Sequence, residues 1–170
     1  HGDLLFDASH GLWKLYAAET GYFFESADTR TLKPRSRALI SHDFARIDAW
    51  ICAQRRRPGF GWEPIHLITP LVEICLVTKL AREGGLLIHA AGVVTEHGGF
   101  LFTGASGAGK STLCDLFAAG GASVLCDERV ILRKVAGDIL LYGTPWMGTG
   151  RRAENRQAPL TGLCCIRHGT

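Results

Sequence analysis

A chain of 170 residues can bury most of the surface of one domain, so a single domain over residues 1–170 is predicted. Its net charge of +3 and its 21% of charged residues are far from the dense positive charge of nucleic-acid binders, so nucleic acid is not an expected partner. The longest apolar stretch, residues 67–80, is interrupted by Pro70, Glu73 and Lys79 and is too short to span a bilayer, so no membrane partner is expected.

Six cysteines are present without a Cys-x-x-Cys pair, so the sequence indicates neither a zinc site nor a disulfide framework. Most of them lie inside apolar segments and are predicted to be buried, reduced thiols. They are Cys52, Cys75, Cys114, Cys126, Cys164 and Cys165. Because no secretion signal is visible after His1, the expected location is cytoplasmic.

Three short strand-like runs at residues 4–6, 11–16 and 21–25 predict a small antiparallel element at the start of the chain. Their aromatic side chains are expected to pack in its core, and an aromatic surface for a partner is the less favoured alternative. These side chains are Trp13, Tyr16, Phe23 and Phe24.

Two helices are predicted next. Residues 41–51 suit a helix because Ser41 can cap it and apolar residues recur on one face. The arginines at residues 55–57 suit its negative end, and contact with an acidic partner is the weaker alternative. A second helix, with Pro70 in its first turn, continues to Leu80 and is expected to be buried against the main sheet.

Residues 86–95 and 99–103 are apolar runs separated by the turn residues 96–99, which predicts an antiparallel hairpin. A helical pattern follows and ends at Gly120. Residues 122–126 then form a strand that should return parallel to residues 99–103, by the right-handed crossover rule.

A further hairpin, residues 130–135 and 139–142, and a last strand, residues 163–166, complete the predicted elements. The sequence therefore predicts an α/β fold with a mixed sheet and flanking helices. Within it, residues 1–63 hold the N-terminal strands and helix, and residues 64–170 form the core that binds nucleotide.

Residues 104–112 match the pattern GxxxxGK followed by Ser, which is typical of a phosphate-binding loop. Its glycines let successive backbone N–H groups turn around a phosphate. Lys110 would reach the outer phosphates, and the Ser111 hydroxyl would hold Mg²⁺. The predicted nucleotide-binding residues are Gly104, Ala105, Ser106, Gly107, Ala108, Gly109, Lys110, Ser111 and Thr112.

Asp127 and Glu128 follow the strand that returns beside this loop, so both carboxylates are expected at the loop's edge of the sheet. One of them, with Ser111, would hold Mg²⁺, and the other would face an acceptor hydroxyl. His89 is expected in the strand beside the loop-bearing strand, where it can donate to a phosphate or titrate with the catalytic acid.

Arginines are also concentrated after residue 150. They either reach phosphate or acceptor, or lie exposed in a loop, and the sequence favours neither role. They are Arg151, Arg152 and Arg156, with Asn155 among them.

The succession of His89, the loop and the acid pair resembles the catalytic domain of the HPr kinase/phosphorylase family, which is similar in fold to PEP carboxykinases. The resemblance covers about residues 86–143. It implies a mixed sheet of that type carrying a phosphate loop, with Asp127 as acid–base catalyst beside His89 and Lys110. It also implies Ser111 and Glu128 as Mg²⁺ ligands, although the family's regulator has Asp at the second acid.

Residues 144–170 look more like HPr kinase-like proteins than like the regulator, and the chain stops before the helices that help bind HPr in the family. The predicted function is an ATP- and Mg²⁺-dependent kinase that phosphorylates a hydroxyl of a protein, a peptide or a small molecule. The alternative is a nucleotide-binding regulatory module without transfer. A transporter-type ATPase is disfavoured, because the acids follow Lys110 by one strand only. A homo-oligomer is compatible with the resemblance.

Overall fold

The computed structural model describes residues 2–8, 12–28, 31, 33–51 and 65–167, with side chains from residue 70 onward in the last range. The chain divides into two compact units, His1–Lys79 and Leu80–Thr170. Within the described ranges, no helix has the length and apolar character needed to cross a membrane. Cys52 and the arginines at residues 55–57 lie outside the described residues.

The first unit contains an antiparallel sheet whose five strands are hydrogen-bonded in chain order, so the predicted N-terminal strands are confirmed. Phe24 is fully buried in the core of this sheet, and Trp13 stacks on it with ring centroids 6.4 Å apart. Tyr16 and Phe23 instead pair with each other and are half-buried. The strands are β1 (Leu4–Asp7), β2 (Trp13–Ala18), β3 (Gly21–Ala27), β4 (Pro34–Ser41) and β5 (Ile47–Ile51).

The helix predicted over residues 41–51 is wrong, because this segment forms the end of β4, a tight turn and β5. In the turn, Ser41 Oγ accepts the Arg46 N–H at 3.0 Å, and Asp43 Oδ1 accepts the Ala45 N–H at 3.0 Å. Short bonds from Ser and Asp side chains to nearby backbone can close a turn as well as cap a helix. Pairing with β4 decides between the two uses.

The helix α1 (Ile65–Arg82) begins earlier than predicted, so that Pro70 does not lie in its first turn. Pro70 therefore lies inside the helix, where its missing N–H removes one helical hydrogen bond. Leu71 and Cys75, one turn apart, are buried in the core of the first unit's sheet. The sequence predicts a helix buried against the main sheet, but this face packs in the first unit instead, whereas the buried Leu80 lies beside Gly85 of the second unit. The exposed Val77 shows that the helix is not buried on every side.

The second unit is built on a mixed sheet in the order β6-β10-β11-β12-β8-β7-β9, in which only β12 and β8 are parallel neighbours among the described strands. With α1 and α2, the chain therefore belongs to a general α/β class dominated by sheet. The elements are β6 (Gly85–His89), β7 (Ala91–Thr95), β8 (Gly98–Thr103), α2 (Lys110–Ala119), β9 (Ser123–Cys126), β10 (Arg129–Val135), β11 (Asp138–Tyr142) and β12 (Gln157–Cys165).

The predicted strand over residues 86–95 is in fact two strands, separated at the buried Ala90. β6 pairs with β10, placing His89 opposite Arg129, whereas β7 pairs with β8. The prediction that His89 lies in the strand beside the loop-bearing strand is therefore wrong. β6 and β7 lie far apart in the strand order but are joined by one residue, so the sheet must curl. At this junction the Ala90 N–H donates to the Glu128 carbonyl at 3.1 Å.

Other sequence-based predictions about this sheet are confirmed. β7 and β8 form the expected hairpin, as do β10 and β11. Because β7 is antiparallel to both β8 and β9, these two strands run in the same direction, as the crossover rule predicts. The last strand, β12, begins at Gln157, six residues before the predicted start. The C-terminal ends of β8 and β9 therefore lie at one edge of the sheet.

Apolar clusters lie on both sides of this curled sheet. One contains Leu101, Leu125 and Leu141, and the other packs β7 and β9 against α2 through Val93 and Cys114. Of the described cysteines, Cys75, Cys114 and Cys126 are buried free thiols, as predicted, but Cys164 and Cys165 are exposed. Both lie in the part of β12 that pairs with β8 on one side and extends beyond its pairing with β11 on the other.

Candidate functional site

A glycine-rich loop, residues 104–109, connects the end of β8 to the start of α2. Gly107 and Gly109 have φ values of 80° and 97°, in the left-handed region that side chains disfavour, and a Cβ at either would meet open space. At Gly104 the reason for glycine is different, because a Cβ would lie 2.7 Å from the Ile166 carbonyl oxygen. The first residue of the loop is thus closely packed, whereas the later glycines have unusual φ values and border open space.

Lys110 is buried at the first position of α2, with 7% of its surface exposed. Its ammonium donates to the carbonyl oxygens of Gly104 at 2.9 Å and Ala105 at 3.2 Å. The side chain therefore folds back under the loop and holds its first two residues. An ammonium has three donors, so these two bonds leave one for a further acceptor.

The N-terminus of α2 has no acidic residue in its first turn, and no side chain among the described residues caps it. Its first N–H groups and the positive end of its dipole therefore face the loop without a local anion. In this turn Ser111 is half-buried and Thr112 is exposed. The Ser111 hydroxyl lies 3.4 Å from the Thr149 hydroxyl, which comes from a distant segment.

Asp127 is nearly buried, with 2% of its surface exposed. Its Oδ1 accepts the N–H of Gly148 at 2.8 Å and that of Arg152 at 3.4 Å, and its Oδ2 accepts the Gly150 N–H at 2.7 Å. We call residues 147–152 the strap. Both oxygens of the Asp127 carboxylate are therefore occupied by the backbone of the strap, which compensates for burying the charge.

Glu128, the adjacent acid, points elsewhere. Its side chain is 38% exposed, and its Oε1 lies 3.2 Å from His89 Nδ1. The curl of the sheet produces this contact, because His89 pairs in register with Arg129 on β10. A Cβ at Gly148 would lie 3.1 Å from Glu128 Oε2, so Glu128 also borders the strap. Glu128 is thus the accessible carboxylate of the pair.

The three candidate arginines are separated in the structure. Arg152 donates from Nη2 to Asp115 Oδ1 at 2.9 Å, and Asp115 lies on α2 one turn after Ser111. Arg156 donates to the Ser123 hydroxyl at 2.8 Å, at the opposite end of β9 from the acid pair. Arg151 is exposed and has a left-handed φ of 52°. Of the three, only Arg152 is bonded beside the loop helix.

Cys114 lies on the buried face of α2, near Asp127. Burial, and after it the charge of the nearby Asp127, raises the pKa of the Cys114 thiol to about 11. Only 1% of its surface is exposed. The thiol therefore stays protonated at neutral pH and packs as an apolar group, not as a nucleophile.

The oxygen atoms at this edge are of the chemical type that a magnesium ion binds. The described residues contain no group of three or more His, Cys, Asp or Glu side chains able to hold a metal. Mg²⁺ does not need one, because it keeps several waters and is completed by substrate phosphates. The Ser111 and Thr149 hydroxyls are two hard oxygen donors 3.4 Å apart, and the Glu128 carboxylate, a third such donor, borders the strap that carries Thr149.

The structure therefore brings the loop, Ser111, Asp127 and Glu128 to one edge, and adds His89 through Glu128. Sequence reasoning missed the strap, although its Gly148 and Gly150 around Thr149 were a readable sign of close backbone approach. A separate cavity of about 950 Å³ lies at the other end of α2 and is lined by none of the residues assigned to nucleotide, metal or catalysis.

No protein-family model and no curated protein matches the chain.

Proposed function

We propose that the protein is an ATP- and Mg²⁺-dependent kinase that phosphorylates a hydroxyl, similar to HPr kinase-like proteins. The observation that carries the proposal is the convergence at one sheet edge of the glycine-rich loop and the acid pair Asp127 and Glu128, after two strands that run in the same direction. Phosphoryl transfer needs a phosphate cradle, a cation and an acceptor-facing group within one small site. The nucleotide and a hydroxyl acceptor are the proposed partners.

In this proposal the loop backbone and the free end of α2 bind the phosphates. To neutralise phosphate charge, Lys110 either breaks one of its hydrogen bonds to a loop carbonyl or uses the third N–H donor of its ammonium group. Bound Mg²⁺ supplies charge neutralisation at the transferred phosphate, and the Ser111 hydroxyl is its ligand on α2. The free thiols of the described chain favour a reducing compartment, so a cytoplasmic location is part of the proposal.

The contacts favour a different division of labour between the two acids than the resemblance implies. Asp127 has both oxygens bonded to the strap, so it can reach an acceptor only if the strap is released. Glu128 is accessible, and His89 lies within hydrogen-bonding distance of it. We therefore assign to Glu128 the role of the base that accepts the proton of the acceptor hydroxyl, and to Asp127 the role of positioning the strap. In the alternative, Asp127 is the base and Glu128 is a ligand of the metal.

The test measures two quantities on the same variants: phosphate transfer from radiolabelled ATP to water and to a random Ser/Thr peptide library, and MgATP affinity by calorimetry. Glu128→Gln should lower transfer about 100-fold or more, the usual contribution of a general base, while MgATP affinity changes little. Lys110→Ala should weaken MgATP binding about 10- to 100-fold, because a charge-assisted bond to phosphate is lost.

The opposite pattern would support the alternative assignment: Glu128→Gln weakens the Mg²⁺ dependence of binding, and Asp127→Asn alone abolishes transfer. A second candidate function is a nucleotide-binding module without transfer, which the occupied Asp127 carboxylate favours. Its signature is MgATP binding lost in Lys110→Ala with no transfer to water or peptides by the wild type. Absence of nucleotide binding by the wild type would refute both functions.

A further inference from the structure

The strap brings a second hydroxyl to the position expected of a metal ligand. Thr149 Oγ1 lies 3.4 Å from Ser111 Oγ, and the two residues come from segments 38 positions apart. Thr149 is exposed and Ser111 is half-buried, so a hydrated ion can reach both hydroxyls from solvent. We propose that Thr149 is a ligand of the divalent cation beside Ser111. The inference rests on the proposed function, which supplies the metal–nucleotide.

The distance between the two hydroxyls suits one octahedral ion. Mg²⁺ binds oxygen at about 2.0–2.1 Å, so two neighbouring ligands of an octahedron lie about 2.9 Å apart. The Ser111 and Thr149 oxygens reach this separation by approaching each other by about 0.5 Å, within ordinary side-chain adjustment. Two neutral hydroxyls leave the remaining positions to phosphate oxygens and water.

Asp127 holds Thr149 in place from both sides. The two backbone N–H groups that flank Thr149, those of Gly148 and Gly150, donate to opposite oxygens of the Asp127 carboxylate. A Cβ at Gly148 would lie 2.9 Å from Asp127 Oδ2, and one at Gly150 would lie 2.7 Å from it. A side chain at either position would crowd this carboxylate, so glycine on both sides favours the close approach of the strap, and the residue between them is directed by this anchoring.

The end of the strap is fixed to the same helix that carries Ser111. The Arg152 guanidinium bonds Asp115, one turn after Ser111 on α2, and the Arg151 N–H donates to the Gly148 carbonyl at 3.1 Å, closing a turn around Thr149. The two hydroxyls are therefore held opposite each other before any ion binds. Such preorganisation lowers the entropy lost on binding.

The experiment compares Thr149→Val, which removes the hydroxyl at nearly constant shape, with Thr149→Ser, which keeps it. Calorimetry measures ATP affinity with EDTA and with Mg²⁺, and electron paramagnetic resonance measures binding of Mn²⁺ alone. Thr149→Val should bind ATP like the wild type in EDTA, but should lose at least about 10-fold in Mg²⁺-dependent affinity and in Mn²⁺ affinity. Thr149→Ser should retain most of both.

Thr161→Val is the matched control, since it removes a hydroxyl of the same unit that donates to the His97 carbonyl, away from the strap. It should leave every affinity unchanged. Equal Mg²⁺ dependence and Mn²⁺ affinity in wild type and Thr149→Val would overturn the inference, as would a wild type that binds no Mn²⁺ with or without ATP. If the wild type binds Mn²⁺ but no nucleotide, the proposed function fails, while the Mn²⁺ comparison still decides the role of Thr149.

Discussion

Replacing Asp127 with Asn is expected to destabilise the second unit and to loosen the strap, because one carboxylate accepts three backbone N–H groups there. Asn keeps one carbonyl oxygen and replaces the other oxygen with an NH₂ group, which can only donate. If the amide oxygen stays on Gly148, the Gly150 N–H faces a donor. If the amide turns over, the Gly148 and Arg152 N–H groups lose their acceptor.

The magnitude follows from these contacts. Hydrogen bonds to a charged group contribute about 1.5–3 kcal/mol each, and leaving a buried donor unsatisfied costs about 1–3 kcal/mol. Asp127 is 2% exposed, so water cannot easily replace the lost acceptor. One bond is lost outright and the others lose their charge, which gives an expected decrease of about 2–4 kcal/mol in the free energy of unfolding.

Urea unfolding measures the free energy, and amide hydrogen exchange followed by mass spectrometry reports on a peptide covering residues 147–152. Faster exchange in this peptide should accompany the loss of stability in Asp127→Asn. Glu128→Gln is the control: its exposed contact with His89 contributes at most about 1 kcal/mol. Unchanged stability and unchanged exchange in Asp127→Asn would refute the anchoring role of this carboxylate.

The remaining predictions concern thiols. In the folded protein, Cys164 and Cys165 should react with iodoacetamide at pH 8 well before Cys114, as peptide mass spectrometry can show; early labelling of Cys114 would contradict its burial. Because burial raises the pKa of Cys114 from 9.0 to about 11, its stabilisation is complete below pH 9 and is lost as the pH rises to 11. The unfolding free energy of the wild type should therefore fall by about 2–3 kcal/mol more between pH 8 and pH 11 than that of Cys114→Ala. An equal fall in both proteins would contradict the raised pKa of Cys114.

Local pattern and chain order account for much of what could be predicted. The loop at residues 104–109 is readable because each glycine and the lysine stand at set spacings between a strand and a helix. The hairpin of β7 and β8 follows from turn residues between apolar runs, and the common direction of β8 and β9 follows from crossover handedness. These signals need only neighbouring residues or one connecting helix.

Errors arose where the same local signal serves two structures. Ser41 and Asp43 suit a helix cap and a hairpin turn equally, and pairing between β4 and β5 selects the turn. The apolar run around His89 suits one long strand, but closure of the curled sheet breaks it at Ala90. In both cases the deciding partner lies on another strand, which periodicity along one segment does not reveal.

By itself, the sequence determined the glycine-rich loop, the acid pair after the next strand and the edge of the sheet where they meet. Only the tertiary structure decided which way the acids point: Asp127 binds N–H groups 21 and 23 residues further along the chain, while Glu128 meets His89 across β6 and β10. The physical reason is that a buried carboxylate must find donors wherever the fold supplies them. Here the donors belong to the backbone of the strap, and its glycines indicate in the sequence that the backbone can approach closely, but not which carboxylate it approaches.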